Sequence, residues 1–536
     1  MPTFFGDRDC RFVLDEYNGL VKDIRKIKEI LIDEGEMMKK QELREALKQT
    51  PAMGQRLFNS SFGLRMQALR VLTTGRASKY GYPEGLEDRA TNPYLTSGYS
   101  DNTMEFNGII VKGAKSAVRQ LAVLQQIVDS HLSAEERLWP LSLAPTAVYL
   151  HDMDYLSSNC TRADFTDFSH RLTQKYGEIR SLMAGVHVGY SVDHKLVQWI
   201  YDNFGKDQYE DEAAFRNDLY FKLGQHYVLW QWLFTYLFGA SPVAPMCKDV
   251  VAPKLDHQIR SLRNSSMGYG NLPDEQVNYA SFDQYEQSLN QFLQDGTYQN
   301  IQEFQGPVCL HNRTDDLKQG GATYLSLRMF DLDPFAPTGM SEDTLNFVEL
   351  VMVHSLLSDS QEYSQDDLQK AIARNQEVAM QDPLEQPEWL KEAATKLTDE
   401  LDKFCDEYDA PRQYRMALKF VQRRIEDPSL TIAGQMVANT ESGNFMSFGL
   451  KLANDRFTMQ VQSGQPLEVM GKVCSKSIQN MIKAAIVSGV EVEYENHQVL
   501  FRYKDETKSI EPTLEMEMPH GPLGELQRMF PQLAAD

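Results

Sequence analysis

The side chains best placed for catalysis or ligand binding lie on or beside short apolar alternations. Arg65 and Gln67 stand two apart in the run Phe62 to Leu72, so in an extended strand they share one face. Asp101 and Glu105 bracket the start of a second run, Thr103 to Val111. His187 sits among Val186, Val188 and Tyr190; Arg328 lies between Leu327 and Met329, an alternation that turns its side chain away from the apolar layer. Arg263 opens the polar stretch Arg263-Asn264-Ser265-Ser266, where its fork suits a carboxylate or simply solvent. Each has an ordinary reading as well. Asp101 suits a turn after Gly98, Glu105 an exposed strand, and His187 a structural role.

The common signatures are absent: there is no P-loop, no Gly-x-Gly-x-x-Gly after a strand, no Gly-x-Ser-x-Gly and no His-Glu-x-x-His. The six cysteines (Cys10, Cys160, Cys247, Cys309, Cys405, Cys474) are far apart and form no zinc-like cluster. Scattered thiols predict a reducing, cytoplasmic setting. Asp7, Arg8, Asp9 and Arg11 occupy the region where a secretion signal would be apolar, so none is expected.

The elements that must hold these residues are strands separated by long helices. Helical spacing is read for 12–48, 114–131, 213–238, 282–294 and 342–357, and again from Asp366 to Arg424 with a break near Pro383. Strands are read at Phe62–Leu72, Thr103–Val111, within Arg180–Val192, and at Ala322–Leu332. Because strands and helices do not alternate strictly, the pattern predicts an α+β fold with an antiparallel or mixed sheet. Val490 to Tyr503 reads as a hairpin turning at Asn496-His497. The expected division is a single domain, 1–536, with a helical segment 1–60, a core 61–360, a helical region 361–489 and a terminal hairpin 490–505. The uncharged stretch Leu223 to Cys247 contains Gln231 and ends at Gly239-Ala240-Ser241-Pro242, so it reads as a buried helix rather than a membrane span.

Composition narrows the function. The 536 residues carry 54 Lys+Arg against 76 Asp+Glu, a net charge of -22, which argues against general binding to nucleic acid or anionic membrane. Small anionic ligands held by a few local arginines remain compatible.

Several blocks together resemble the glutamate–cysteine ligase family, including its counterpart in bifunctional glutathione synthetases. They are Arg137-Leu138-Trp139-Pro140-Leu141-Ser142, Ala184-Gly185-Val186-His187, Leu237-Phe238-Gly239-Ala240-Ser241-Pro242, Ser261-Leu262-Arg263 and Asp333-Pro334-Phe335. The resemblance runs from about Phe62 to Leu357. It implies a curved, mainly antiparallel sheet lining a funnel-shaped cavity, with helices packed outside. It also implies ATP-dependent formation of a γ-glutamyl amide between glutamate and cysteine or a related amine, through a γ-glutamyl phosphate. ATP and Mg²⁺ are the implied cofactors. On the matching positions, Arg263 and Arg328 would act in catalysis, Arg263, Tyr269 and His187 would bind substrate, and Arg328 with Arg65 would meet nucleotide. Asp101, Glu105 and His187 would be the metal set.

The chain departs from the pattern where metal ions would be held. The family's first strand reads Gly-Leu-Glu-[Lys/Arg]-Glu, and this sequence places Arg65 and Gln67 at its two glutamates. Ser326 replaces a third carboxylate and Cys309 an arginine. Weakened metal binding is therefore expected, and two readings stay open: a working ligase, with Arg65 as a fixed cation beside phosphate, or a degenerate paralogue that binds an amino acid or a protein partner. Neither nucleic acid nor membrane is an expected partner. No ATP-grasp segment is evident, so a second, glycine-adding activity is not expected either.

Overall fold

Alternation decides how the long first strand sits. In the computed structural model, which describes residues 40–86, 92–98, 102–145, 163–177, 180, 182–243, 253–312, 316–358, 363–440 and 444–534, strand β1 spans Ser61–Leu72. Phe62, Leu64, Met66 and Ala68 are buried on one face, whereas Arg65 is exposed and Gln67 half-buried on the other. The helix Ala114–Asp129 packs on the apolar face, where Gln125 Nε2 lies 3.0 Å from Met66 Sδ.

Around β1 an eight-stranded antiparallel sheet assembles from the described residues. Its other members are β2 (Leu95–Ser97), β3 (Thr103–Asn107), β4 (Val111–Lys112), β5 (Glu136–Leu138), β6 (Val186–Ser191), β7 (Val308–His311) and β8 (Tyr324–Phe330). The main order is β2-β3-β1-β6-β8-β7, with β4 and β5 also paired to β1. The sheet does not close. Thus the four segments read as strands share one antiparallel sheet, as the α+β reading expects.

Two boundaries differ from the sequence reading. The run Thr103–Val111 breaks into β3 and β4, because Gly108 turns to donate from its N–H to the Leu64 carbonyl at 2.8 Å. Only the second half of Arg180–Val192 is strand. The N-terminal helical reading mostly falls outside the described residues, which are helical from 40 to 49.

Helices form the outer layer. Glu212–Phe238, capped by the Asp211 side chain on the Ala214 N–H at 2.8 Å, lies against β7 and β8. Its Phe234 and Phe238 meet Phe330 of β8 and Phe347 of the helix Glu342–Leu357. No helix among the described residues is long and apolar enough to cross a membrane. Further along come Gln365–Ala379, Glu388–Glu407, Arg412–Glu426, Phe445–Gln462 and Lys476–Val487. The expected terminal hairpin, β9 (Glu491–Glu495) with β10 (Gln498–Tyr503), gains a third strand, β11 (Glu506–Ile510). Arg502 of β10 pairs with Glu493 at 2.6 Å.

Candidate active site

The cavity face of the sheet brings most of the singled-out residues into adjacent rows. Gln67 lies directly opposite Glu105, which in turn lies opposite Thr96. Two residues along the same strand, Arg65 faces Asn107 on one side and His187 on the other. The Glu105 carboxylate is buried and already engaged: Gln67 Nε2 donates to Oε1 at 2.6 Å, Arg65 Nη2 to Oε2 at 2.7 Å, and Thr96 Oγ1 to Oε2 at 3.3 Å. The Glu105 carboxylate raises the Arg65 guanidinium further above its ordinary value.

Between β6 and β8 the register slips. Val186 pairs with Phe330 but Val188 with Leu327, so one extra residue of β8 is accommodated opposite His187. Such a bulge frees backbone groups from the ladder and re-aims side chains. The freed carbonyl of Arg328 accepts from Arg263 Nη2 at 3.3 Å, and that of Met329 from Asn264 Nδ2 at 2.9 Å. The Arg328 guanidinium leans to the cavity edge, where Nη1 donates to the Phe304 carbonyl.

Arg263 is placed by the surrounding motif residues. Asp331 Oδ2 accepts from the Ala240 N–H and from the Ser241 and Ser261 hydroxyls at 2.8–2.9 Å, drawing two sequence blocks together beneath it. A Cβ on Gly185 would lie 2.5 Å from Arg263 Cζ, so glycine makes room for the guanidinium. Arg263 lies 4.4 Å from the Tyr269 ring centroid, and burial lowers its pKa. Trp139 packs rather than binds: it is fully buried, and its indole donates to the Leu143 carbonyl at 2.7 Å.

One participant was missed. Arg180, read as a strand residue, sits outside β6 with its guanidinium 3.9 Å from the Tyr176 centroid and 5.3 Å from that of Tyr269. Nothing in its local sequence marks it, because its role depends on where Tyr269 folds back. Three buried guanidinium nitrogens here lack a hydrogen-bond partner among the described residues: Arg180 Nη2, Arg263 Nε and Arg328 Nε. His187 makes no hydrogen bond among the described residues. Burial, reinforced by Arg328, Arg263 and Arg65, holds its imidazole well below the usual range and therefore neutral at pH 7.

The described donor set does not fit a magnesium cage. Mg²⁺ requires several oxygen ligands in octahedral geometry. Both Glu105 oxygens are occupied, His187 is ringed by cations, and no group of three or more His, Cys, Asp or Glu side chains among the described residues is arranged to hold a metal. Ser326 and Cys309 pair across β8 and β7 where the family pattern has a carboxylate and an arginine. Asp101 lies outside the described residues.

Comparison with known proteins agrees with this architecture. A family model described as glutamate-cysteine ligase matches residues 45–307 and 297–378. The glutathione biosynthesis bifunctional protein of Streptococcus agalactiae is 30% identical over 397 residues, 73% of this chain and 52% of that protein. Its Streptococcus mutans counterpart is 29% identical over 454 residues, 83% and 58% of the two chains. The chain thus spans about half the length of the curated relatives it matches. Among solved structures, a bifunctional glutathione synthetase from Pasteurella multocida superposes with TM-score 0.77 at 23% identity, covering 87% of this chain and 62% of the other. A glutamate–cysteine ligase from Francisella tularensis in complex with AMP gives 0.64 at 22% identity, covering 81% and 96%. These structural likenesses establish the fold.

Proposed function

Because the chain belongs to the glutamate–cysteine ligase family, we propose that it binds a glutamate-type amino acid in the funnel and joins its side-chain carboxylate to an amine, cysteine or a related small molecule, at the expense of ATP. The observation that carries this reading is the set of guanidinium nitrogens on Arg180, Arg263 and Arg328 that have no partner among the described residues. Leaving buried donors unsatisfied costs about 1–3 kcal/mol each, more for charged groups, and a ligand's carboxylates would remove that cost. In this reading Arg263, with Tyr269 and His187 beside it, orients the amino acid, while Arg328 and Arg65 face the phosphates. Metal affinity is weakened, and Arg65 stands as a preorganised cation where the family has carboxylates. The setting we infer is cytoplasmic, with small molecules as partners rather than nucleic acid or membrane.

One observation favours a second reading. Glu105 has both oxygens committed to Arg65, Gln67 and Thr96, which suits a site that binds an amino acid, or a protein partner, without ligating. The two readings separate in one experiment: ADP release by purified protein with Mg·ATP, glutamate and a panel of amines, alongside calorimetry with glutamate alone. Release that needs both glutamate and an amine supports ligation. Glutamate binding without ADP release supports the second reading, and neither binding nor release rejects both.

A further inference from the structure

Behind the funnel, β1 forms one wall of a second cavity of about 600 Å³, a volume within the roughly 300–1,000 Å³ usual for small-molecule sites. Met66, whose side chain points away from Arg65 and Gln67, lines it together with Leu138, Trp139 and Phe335. The opposite walls come from the helices Ala114–Asp129 and Phe445–Gln462.

Six charged residues line this largely apolar space: Lys115, Glu342 and Glu468 are exposed, Arg119 lies over the Tyr494 ring, and Asp129 and Arg456 are half-buried and attract each other without a direct ion pair among the described residues. Asp129 ends its helix, where a negative charge meets the negative end of the helix dipole. Its carboxylate accepts no hydrogen bond among the described residues, and burial pushes its pKa up to about 7 against the pull of Arg456 and Arg137. Arg456 uses Nη2 on the carbonyls of Pro334 and Ala336 at 2.8 and 2.9 Å, leaving Nη1 and Nε without a protein acceptor among the described residues. Gln460 Oε1, on the same lining, is buried and has no partner among the described residues.

We propose that this cavity is a second ligand site, distinct from the funnel, for an α-amino acid with a large apolar side chain. The ammonium group would meet Asp129, the carboxylate Arg456, and the side chain would lie against Met66 and Phe335. A plain hydrophobe would answer neither charge. A dicarboxylate would bring a second negative group toward Asp129. Because the occupant would touch the residue between Arg65 and Gln67, it would sit directly behind the strand that carries the altered site. The proposal holds whether or not the funnel ligates.

Calorimetry of the full chain with L-phenylalanine, L-leucine and L-methionine tests it. At least one should bind saturably. Nα-acetyl-phenylalanine and phenylalaninamide, each lacking one charge, should bind at least tenfold more weakly than phenylalanine. Asp129→Asn, isosteric at a position with no hydrogen bond to lose, should cost tenfold or more, and Ala122→Phe, which fills the cavity from the helix wall, should abolish binding. Arg263→Ala should leave it unchanged. The proposal is overturned if none of the three amino acids binds, if Asp129→Asn and Arg456→Gln both bind as the parent does, or if Arg263→Ala abolishes binding, which would place the probe in the funnel.

Discussion

Amino-acid recognition, as proposed, rests most on Arg263. It is 2% exposed, is held by the Arg328 carbonyl and the Tyr269 ring, and its Nε has no acceptor among the described residues. A charged hydrogen bond to a ligand carboxylate is worth about 1.5–3 kcal/mol, so Arg263→Ala should weaken glutamate binding roughly ten- to a hundredfold by calorimetry. Unchanged affinity would remove Arg263 from the site. Elsewhere, Glu349 gives a pH prediction. It is fully buried and accepts from the Ser60 N–H and the Tyr414 hydroxyl, both at 2.8 Å, yet burial raises its pKa from 4.5 to about 7. The folded protein therefore retains a proton that the unfolded chain releases. Its contribution to stability is full below pH 4.5 and is lost as pH rises through about 7. Relative to Glu349→Gln, the parent should lose on the order of 3 kcal/mol of unfolding free energy across that window. Parallel pH profiles from urea titrations would contradict this.

Strands were legible where one chain segment settles its own faces, and less so where a neighbour decides. Alternation in β1 was enough to put Arg65 and Gln67 on one face, and the family resemblance pointed to Glu105, but the register that sets it opposite Gln67 appears only when β1 and β3 are paired. The bulge in β8 was not legible, since it arises from mismatch with β6 and appears only when both are paired. Likewise β11 escaped notice because Glu506-Thr507-Lys508-Ser509-Ile510 is an edge strand with its three central residues exposed and no apolar face to alternate. Where β1 meets β5, Arg70 and Glu136 form a buried pair, 0% and 3% exposed, supported by the Ser78 hydroxyl. Removing one partner of such a pair leaves an uncompensated charge, so Glu136→Ala should destabilise the protein by about 3–5 kcal/mol in urea unfolding. A cost below about 1 kcal/mol would mean that water or another group replaces the carboxylate.

Taken as a whole, the molecule has a net charge of -22 around a cavity whose described wall gathers Arg65, Arg180, Arg263 and Arg328. Overall composition therefore concealed the sign of the site, and only the motif blocks pointed to it. Those blocks revealed the family because many of them build the frame: Asp331 ties two loops together, and Gly185 admits a guanidinium. They left activity open because the residues that differ, Arg65 and Gln67, are the ones that now close on Glu105. In the proposed reading, the Arg65–Glu105 ion pair stands where a metal site would be. Thermal melts of the purified chain with increasing Mg²⁺ test it most directly. An unchanged melting temperature is the predicted result, and a saturable rise of several degrees would contradict it.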